Sequence, residues 1–307
     1  RRTISNEDFS KDYKIQEKKL KSKVQSFKNI LKEKRSLREY PEIDDKIITS
    51  WNSLTVSGYL DSYMATNEKV YLNKAIDIVN ALEKKLINKG LRISRSFSIE
   101  ESDILFLEDY SFLANAYLKL YQSTFNYQWV HRADQIVKKS MDLFFDKDQV
   151  FFKFSSNQST LFSENLFVLE DGVIPSSNSV MANNLFLLSH YTGNRDYLNI
   201  GKKMVDSVIG KAVNDPLDYM NWLNVSTDYS KNFYEIVVVG KNAFQISKDL
   251  TSRYLPNTLV AASKTDADEY LIKNRYIKGD TLIYVCVNNS CKFPVETVDE
   301  ALKFILN

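Results

Sequence analysis

The stretch NSVMANNLFLLSHYTGNRDYLNIGKKMV, Asn178 to Val205, holds two apolar-periodic patterns on either side of a turn at Asn194. Apolar residues three and four positions apart predict an α-helix in each half. The first half is apolar around much of its circumference, which is typical of a helix with neighbours on most sides. The stretch therefore predicts a helical hairpin in which an inner helix is followed by an outer one.

The outer-helix pattern occurs three times along the chain. NEKVYLNKAIDIV from Asn67 and NYQWVHRADQIV from Asn126 align with NRDYLNIGKKMV from Asn194. Each copy has an aromatic residue and, four positions later, a small residue that lets a neighbouring helix approach closely. The small residues are Ala75, Ala133 and Gly201. The inner helices predicted before these copies span Trp51–Ala65, Asp109–Thr124 and Asn178–Thr192.

Repeated helical hairpins with a buried inner layer predict a mainly α fold, namely a partial α/α toroid. The links between hairpins, GLRISRSFSIEES from Gly90 and QVFFKFSSNQSTLF from Gln149, show the alternation of short β-hairpins. Near Phe233 the composition changes to a β-branched run, YEIVVVG, followed by further helix and strand patterns. We predict a toroid domain over residues 1–228 and a small α/β domain with a partly parallel sheet over residues 229–307.

Composition argues against several classes of protein. Of the 307 residues, 26% are charged and the formal net charge is +2, with both signs interspersed, which argues against a nucleic-acid partner. No run of about 18 apolar residues occurs, so no membrane-spanning helix is predicted and a cytoplasmic location follows by default. Two cysteines, Cys286 and Cys291, make no disulfide framework, and we interpret them as free thiols in a reducing compartment.

Polar residues cluster where each inner helix begins. The clusters are DDKIITSWNS, Asp44 to Ser53; LEDYSF, Leu107 to Phe112; and DGVIPSSNSV, Asp171 to Val180. At one shared end of an inner layer, free N–H groups and the positive ends of helix dipoles attract oxygen-rich ligands. The alternative is a purely structural role, in which each acidic or amide residue caps the first turn of its own helix.

Carboxylates at this end are candidates for acid–base chemistry. Glycoside hydrolysis needs a proton donor and a base or nucleophile about 5–10 Å apart across the scissile bond. The candidate catalytic groups are Asp44, Asp45, Glu108 and Asp109. Aromatic faces beside carboxylates suit sugar rings. The candidate ligand-orienting residues are Lys46, Ser50, Trp51, Asn52, Tyr110, Ser176 and Asn178.

Other kinds of chemistry have weaker support. The two histidines, His131 and His190, fall on an outer helix and at the far end of an inner one, so we expect no Ser/His/Asp triad and no zinc site. VVVGKNAF, from Val237, has a single glycine and is a weak signal for phosphate binding. We predict neither a metal nor a cofactor.

Several of these motifs together resemble a known family. DDKIITSWNS, EDYSFLANAYLKLYQSTFN, PSSNSVMANNLFLL, YLPNTLVAAS and YVCVNNSCKFPV are similar, in order and spacing, to the thioredoxin-domain-containing proteins related to spermatogenesis-associated protein 20. The resemblance implies a thioredoxin-like domain followed by a six-hairpin, glycosidase-like α/α toroid. This chain then corresponds to the C-terminal part of such a protein. Because three hairpins do not close a ring of six, the resemblance also implies self-association or a partner such as the thioredoxin-like domain.

Two hypotheses of function follow. The first is a carbohydrate-active or carbohydrate-binding toroid, similar to a glycoside hydrolase, with a small sugar as ligand. The second is a non-catalytic module that docks on a thioredoxin-like domain and serves redox or protein-folding work. Carboxylates within about 10 Å of each other and facing an open cavity favour the first. Carboxylates bonded to backbone amides and sealed from solvent favour the second.

Overall fold

The structure is a computed structural model of the 307-residue chain that describes residues 3–97, 104–156, 166–287 and 290–305. It divides into two compact units, Arg1–Asp45 and Lys46–Asn307. The smaller unit contains α1, Asn6–Asp12, and α2, Glu17–Ser36, and neither helix has a buried residue. The domain boundary predicted between residues 228 and 229 falls inside the larger unit and stays a prediction.

The larger unit begins with three helical hairpins, as the repeat predicts. In each hairpin an inner helix packs against the outer helix that follows it, and the central inner helix also packs against the other two inner helices. The inner helices are α3 (Thr49–Thr66), α5 (Leu107–Thr124) and α7 (Ser177–Thr192), and the outer helices are α4 (Lys69–Leu86), α6 (Gln128–Phe144) and α8 (Arg195–Asn214). The predicted inner helices are confirmed, with starts displaced by at most two residues.

The three inner helices run parallel to one another. At their starts, the Ser50 amide of α3 donates to Asp109 Oδ1 of α5 at 2.9 Å. At their ends, the Gln122 side chain of α5 contacts the Tyr191 hydroxyl of α7 at 3.4 Å. We call these two regions the amino end and the carboxyl end of the inner layer.

Small residues bring the helices close together, as the aligned repeat predicts. Ala75 and Ala133, on α4 and α6, are fully buried. On α8, a Cβ added at Gly201 would lie 2.0 Å from the Tyr229 hydroxyl of α9, Met220–Ser230, and 3.3 Å from the Ala182 carbonyl of α7. A larger residue here would have to displace the Tyr229 side chain, so glycine allows α8 to approach α7 and α9 closely.

Two short strands, β1 (Phe145–Asp146) and β2 (Phe151–Phe152), pair antiparallel in the link between α6 and α7. In the link between α4 and α5, single bridges join Ile87 to Ile93 and Ile48 to Ser96. These contacts agree with the strand alternation predicted for the links. Parts of both predicted links, residues 98–102 and 157–162, lie outside the described residues.

A four-stranded sheet follows the hairpins, with strand order β4-β3-β5-β6. β3 and β4 are parallel and the other pairs are antiparallel, so the predicted partly parallel sheet is confirmed. One face joins the core of the hairpins and the other is covered by helices, which explains why β3 is buried over nearly its whole length. The elements are β3 (Tyr234–Val239), α10 (Ala243–Thr251), β4 (Thr258–Ser263), β5 (Leu282–Val287), β6 (Ser290–Cys291) and α11 (Val298–Lys303).

Cys286 and Cys291 are joined by a disulfide, which corrects their interpretation as free thiols. The physical reason is the register of the sheet: β5 reverses into β6 so that Cys286 and Cys291 lie directly opposite each other. The spacing C-x4-C does not by itself reveal such a reversal. The expectation of a reducing compartment loses the support that it drew from free thiols.

None of the helices in the described ranges has both the length and the apolar character needed to cross a membrane. Within the same ranges, no three or more His, Cys, Asp or Glu side chains come together in a way that could hold a metal ion.

Candidate functional site

The amino end of the inner layer contains most of the residues that the sequence singles out. Ile48 and Phe106, which precede α3 and α5, offer no side-chain cap. α7 is capped by Ser176, whose hydroxyl accepts from the Ser179 amide at 3.2 Å. The capping alternative is therefore wrong for Asp109, which bonds to another helix instead of its own first turn.

Asp109 connects the first two hairpins. Its Oδ1 accepts the Ser50 amide at 2.9 Å, and its Oδ2 lies 3.5 Å from Nη1 of Arg95. The side chain is fully buried, and burial raises its pKa to about 7, although Arg95 and the bond from Ser50 lower it. A carboxyl group sealed in this way bonds to neighbouring segments of the protein and has no contact with solvent.

Glu108, the neighbour of Asp109, is placed differently. Its Oε1 accepts the Ser50 hydroxyl at 2.6 Å and lies 3.6 Å from Nη2 of Arg95. The Arg95 guanidinium lies over the Phe106 ring, 5.0 Å from its centroid. The Glu108 side chain is 18% exposed and that of Arg95 is 30% exposed. The two groups therefore form an oriented acceptor and donor that solvent reaches.

Tyr110 and Asn178 are buried tethers between an inner helix and the preceding link. The Tyr110 hydroxyl donates to the Leu91 carbonyl at 3.0 Å and accepts the Ile93 amide at 3.1 Å. Burial raises the pKa of Tyr110 to about 12. Asn178 accepts the Phe152 amide and donates to the Phe152 carbonyl, both at 2.9 Å. Each side chain has its hydrogen-bonding groups paired with backbone.

Asp171 performs a similar task at the third hairpin. Its Oδ1 accepts the Ser176 amide at 2.8 Å, and its Oδ2 accepts the Asn221 amide at 2.8 Å. These amides belong to the starts of α7 and α9, where a negative charge is favourable for the helix dipoles. One carboxylate thus joins the starts of two helices.

The remaining predicted residues are more exposed. Trp51, in the first turn of α3, is 58% exposed. Asn52 donates to the Ile48 carbonyl at 2.9 Å, within its own helix start. Lys46 is exposed at the beginning of the larger unit, and Asp44 and Asp45 are exposed at the end of the smaller one. The structure therefore joins only part of the predicted set: Ser50, Glu108 and Asp109.

Arg95 is the member of this cluster that sequence reasoning missed. The backbone around it runs beside the start of α3, where the Thr49 amide donates to the Arg95 carbonyl at 2.9 Å. The strand alternation of RISRSF, from Arg92, was a signal for an extended segment. This segment pairs with the residue before α3, through a bridge between Ser96 and Ile48. No local sequence pattern identifies that pairing.

Comparisons by sequence point to distant relatives. The chain is similar to spermatogenesis-associated protein 20 of Homo sapiens, with 24% identity over 293 residues that cover 88% of this chain and 37% of that protein. An uncharacterized protein of Caenorhabditis elegans is 25% identical over 205 residues, covering 64% of this chain and 28% of that protein. No protein-family profile matches the chain. The resemblance predicted from the motifs is confirmed, and the chain spans little more than a third of the human relative's length.

Comparison with solved structures supports the fold. The chain is similar to a GH76 α-mannanase of Bacteroides thetaiotaomicron, with a TM-score of 0.51 and 14% identity, over 77% of this chain and 67% of that one. At such low identity the likeness concerns the fold alone. Together with the observed hairpins it confirms the predicted fold class, an α/α toroid of the glycosidase-like kind.

Proposed function

We propose that the amino end of the inner layer binds a carbohydrate, and that the larger unit alone does not hydrolyse it. Glu108 carries the proposal, because the Ser50 hydroxyl at 2.6 Å holds its partly exposed carboxylate beside Arg95. Sugar hydroxyls both donate and accept hydrogen bonds, so a carboxylate and a guanidinium side by side suit them. Trp51 follows Ser50 directly and offers an exposed aromatic face.

Burial of Asp109 argues against hydrolysis by the larger unit alone. Retaining and inverting glycosidases both need two carboxyl groups that flank one bond. Of the adjacent carboxylates on α5, Glu108 is partly exposed and Asp109 is fully buried. The larger unit therefore offers Glu108 for ligand binding, whereas Asp109 is not available as its catalytic partner.

The relatives contribute only a choice of test ligands. The GH76 structure is that of an α-mannanase, and a shared fold does not by itself imply a shared substrate. α-Mannan oligosaccharides are therefore one probe within a wider array of plant, fungal and bacterial glycans.

The test is a glycan array screen of the whole chain, followed by titration calorimetry with the best oligosaccharide. We expect Trp51→Ala and Glu108→Gln each to weaken binding roughly tenfold, a loss of about 1.4 kcal/mol. Matched controls are Tyr254→Ala, which removes a 91% exposed aromatic ring elsewhere, and Asp77→Asn, which removes an exposed carboxylate from α4. Glycan affinity should be the same in both controls as in the wild type.

Two results contradict the proposal. One is a wild-type chain that binds no glycan on the array. The other is undiminished affinity in both Trp51→Ala and Glu108→Gln, which shows that the glycan binds elsewhere.

A second candidate function is a module that docks on a thioredoxin-like domain. The bonding of Asp109, Tyr110 and Asn178 favours it, because these polar residues are satisfied within the protein and act as architecture. Titration of the chain with a purified thioredoxin-like domain of a full-length relative tests it. Micromolar binding without any glycan binding favours the module, and no association in this titration argues against it.

A further inference from the structure

We propose a second binding site at the carboxyl end of the inner layer, for a small molecule with a phosphate group and a flat or apolar portion. A cavity of about 700 Å³ lies there, within the usual range for small-molecule sites. Its walls include the last residues of α3 and α5, whereas Glu108 and Ser50 lie at the first turns of these helices. The proposal is therefore independent of the carbohydrate proposal.

The cavity lies at the carboxyl edge of the parallel part of the sheet. Lys241 follows β3 and Lys264 follows β4, and both line the cavity. In open α/β sheets, ligands bind outside the carboxyl ends of parallel strands, where turns and helix starts leave a crevice. The first turn of α10, a helix of nine residues, lines the same cavity and brings the positive end of its dipole.

Positive charge dominates the cavity wall. Lys241, Lys248 and Lys264 all line it, and none of them forms an ion pair in the described part of the chain. Lys248 lies over the Tyr63 ring at 5.2 Å, and Lys264 lies over the Phe244 ring at 4.9 Å. These ammonium groups rest on aromatic faces of the wall in place of carboxylates. An anionic ligand group would neutralise them.

The one carboxylate among the described lining residues is already matched. Asp249 forms an ion pair with Arg253 at 3.2 Å. It therefore leaves the three lysines uncompensated.

The turn before α10 is held in one conformation. Gly240 has a φ of +130°, and a Cβ there would lie 2.2 Å from the Asp280 carbonyl oxygen. The Asn242 amide donates to the Thr281 hydroxyl at 3.2 Å, which fixes the other side of the turn. Because only glycine fits this approach, the backbone holds Lys241 and the start of α10 at the cavity without rearrangement.

Apolar side chains also line the cavity. Phe125, Phe244 and Leu72 give the same cavity an apolar side. Charge and apolar surface together match a phosphorylated molecule with a ring, of which nucleoside phosphates are the common class.

The carboxyl-terminal ends of helices in the cavity wall offset only part of the positive charge of the lysines. Asn67 and Phe125 end α3 and α5 in the left-handed conformation, and both line the cavity. The end of a helix carries about half a negative charge, so two ends offset about one of the three lysine charges. The cavity stays positive.

Calorimetry of the whole chain with AMP, adenosine and inorganic phosphate tests the proposal. We expect AMP to bind more tightly than phosphate and roughly tenfold more tightly than adenosine. The triple variant Lys241→Gln/Lys248→Gln/Lys264→Gln should weaken AMP binding by a similar factor or more. The control Lys74→Gln/Lys203→Gln/Lys211→Gln removes the same charge from exposed lysines of α4 and α8 and should bind AMP like the wild type.

A second measurement needs no variant. Acetic anhydride labelling of the wild type, read by mass spectrometry, should show AMP protecting Lys241, Lys248 and Lys264 but not Lys203. No AMP binding at millimolar concentrations overturns the proposal. So do equal affinities for AMP and phosphate, AMP binding that survives the triple substitution, and AMP binding without lysine protection. In those cases the lysines only neutralise the helix ends.

Discussion

The two ends of the inner layer hold polar residues in opposite states. At the amino end, the Asp109 carboxylate and the Asn178 amide are buried and bonded to neighbouring segments. At the carboxyl end, Lys241 and Lys264 line a cavity and form no ion pair in the described part of the chain. The difference teaches that polar residues become scaffold where a neighbouring segment supplies partners, and stay without an ion pair where none does.

The links between hairpins cause this difference. At the amino end, backbone of the links runs beside the inner helices and offers amides and carbonyls to Tyr110 and Asn178. At the carboxyl end, α3 and α5 end in left-handed residues that turn directly into the outer helices. The sheet then meets this end and leaves a space of about 700 Å³.

The largest effect is expected for Asn178→Ala at the amino end. The substitution leaves the buried Phe152 amide and carbonyl without the partner that Asn178 provides. We expect the free energy of unfolding in urea to fall by about 4 kcal/mol, from two unsatisfied backbone groups and the lost packing. The control is Asn183→Ala on the same helix, which removes a partly exposed amide and should cost less than about 1 kcal/mol. If both variants lose similar free energy of unfolding, the bonds of Asn178 are not what stabilises the amino end, and the contrast between the two ends is contradicted.

A change in pH tests Asp109 more specifically. Its pKa of about 7 in the folded protein lies above its ordinary value of 3.8, so between these values the folded state holds a proton that the unfolded state has lost. The stabilising effect is complete below pH 4 and is lost as the pH rises to 7, by roughly 2–3 kcal/mol between pH 5 and pH 7.

Urea unfolding at several pH values should show that Asp109→Asn removes most of this slope. Asp228, whose pKa burial raises to about 6, contributes a slope of the same sign that remains in the variant. The control Asp77→Asn, with an exposed carboxylate, should keep the wild-type profile. An unchanged profile in Asp109→Asn contradicts the assignment.

A substitution that alters helix packing, away from the hydrogen bonds of either end, gives a reference value for these effects on the free energy of unfolding. Gly201→Ala places a methyl group 2.0 Å from the Tyr229 hydroxyl, and we expect a loss of about 2 kcal/mol in unfolding free energy. Gly210→Ala on the same helix meets nothing within 4 Å and should stabilise by about 0.5–1 kcal/mol. If Gly201→Ala instead stabilises the protein, α9 moves aside for the added methyl group. Small residues then do not determine the spacing of the helices.

The smallest effects on stability belong to the carboxyl end. Lys241→Gln and Lys264→Gln remove exposed, unpaired charges and should change the unfolding free energy by less than about 0.5 kcal/mol. Thermal melts without ligand are the measurement. A loss above about 1 kcal/mol in either variant means that these lysines support the helix ends, and the contrast between the two ends then disappears.

Much of the fold follows from local patterns. The bounds of the apolar inner helices and the starts of the three aligned outer helices are predicted within two residues, because helical periodicity is a property of short segments. The strand and helix alternation after Phe233 likewise predicts the partly parallel sheet. The sequence predicts the candidate site only as a region at the starts of the inner helices, and the state of each carboxylate there does not follow from its position.

The sequence by itself determined the hairpins, the inner and outer character of their helices and the class of the fold, because each depends on residues a few positions apart. Only the tertiary structure decided that Asp109 is sealed and Glu108 partly exposed, that Arg95 joins them, that Cys286 pairs with Cys291 and that lysines meet at a cavity. These features depend on which distant segments come into contact. Burial and hydrogen-bond or ion-pair partners set the charge of a side chain and its access to solvent. Both arise only when those segments pack.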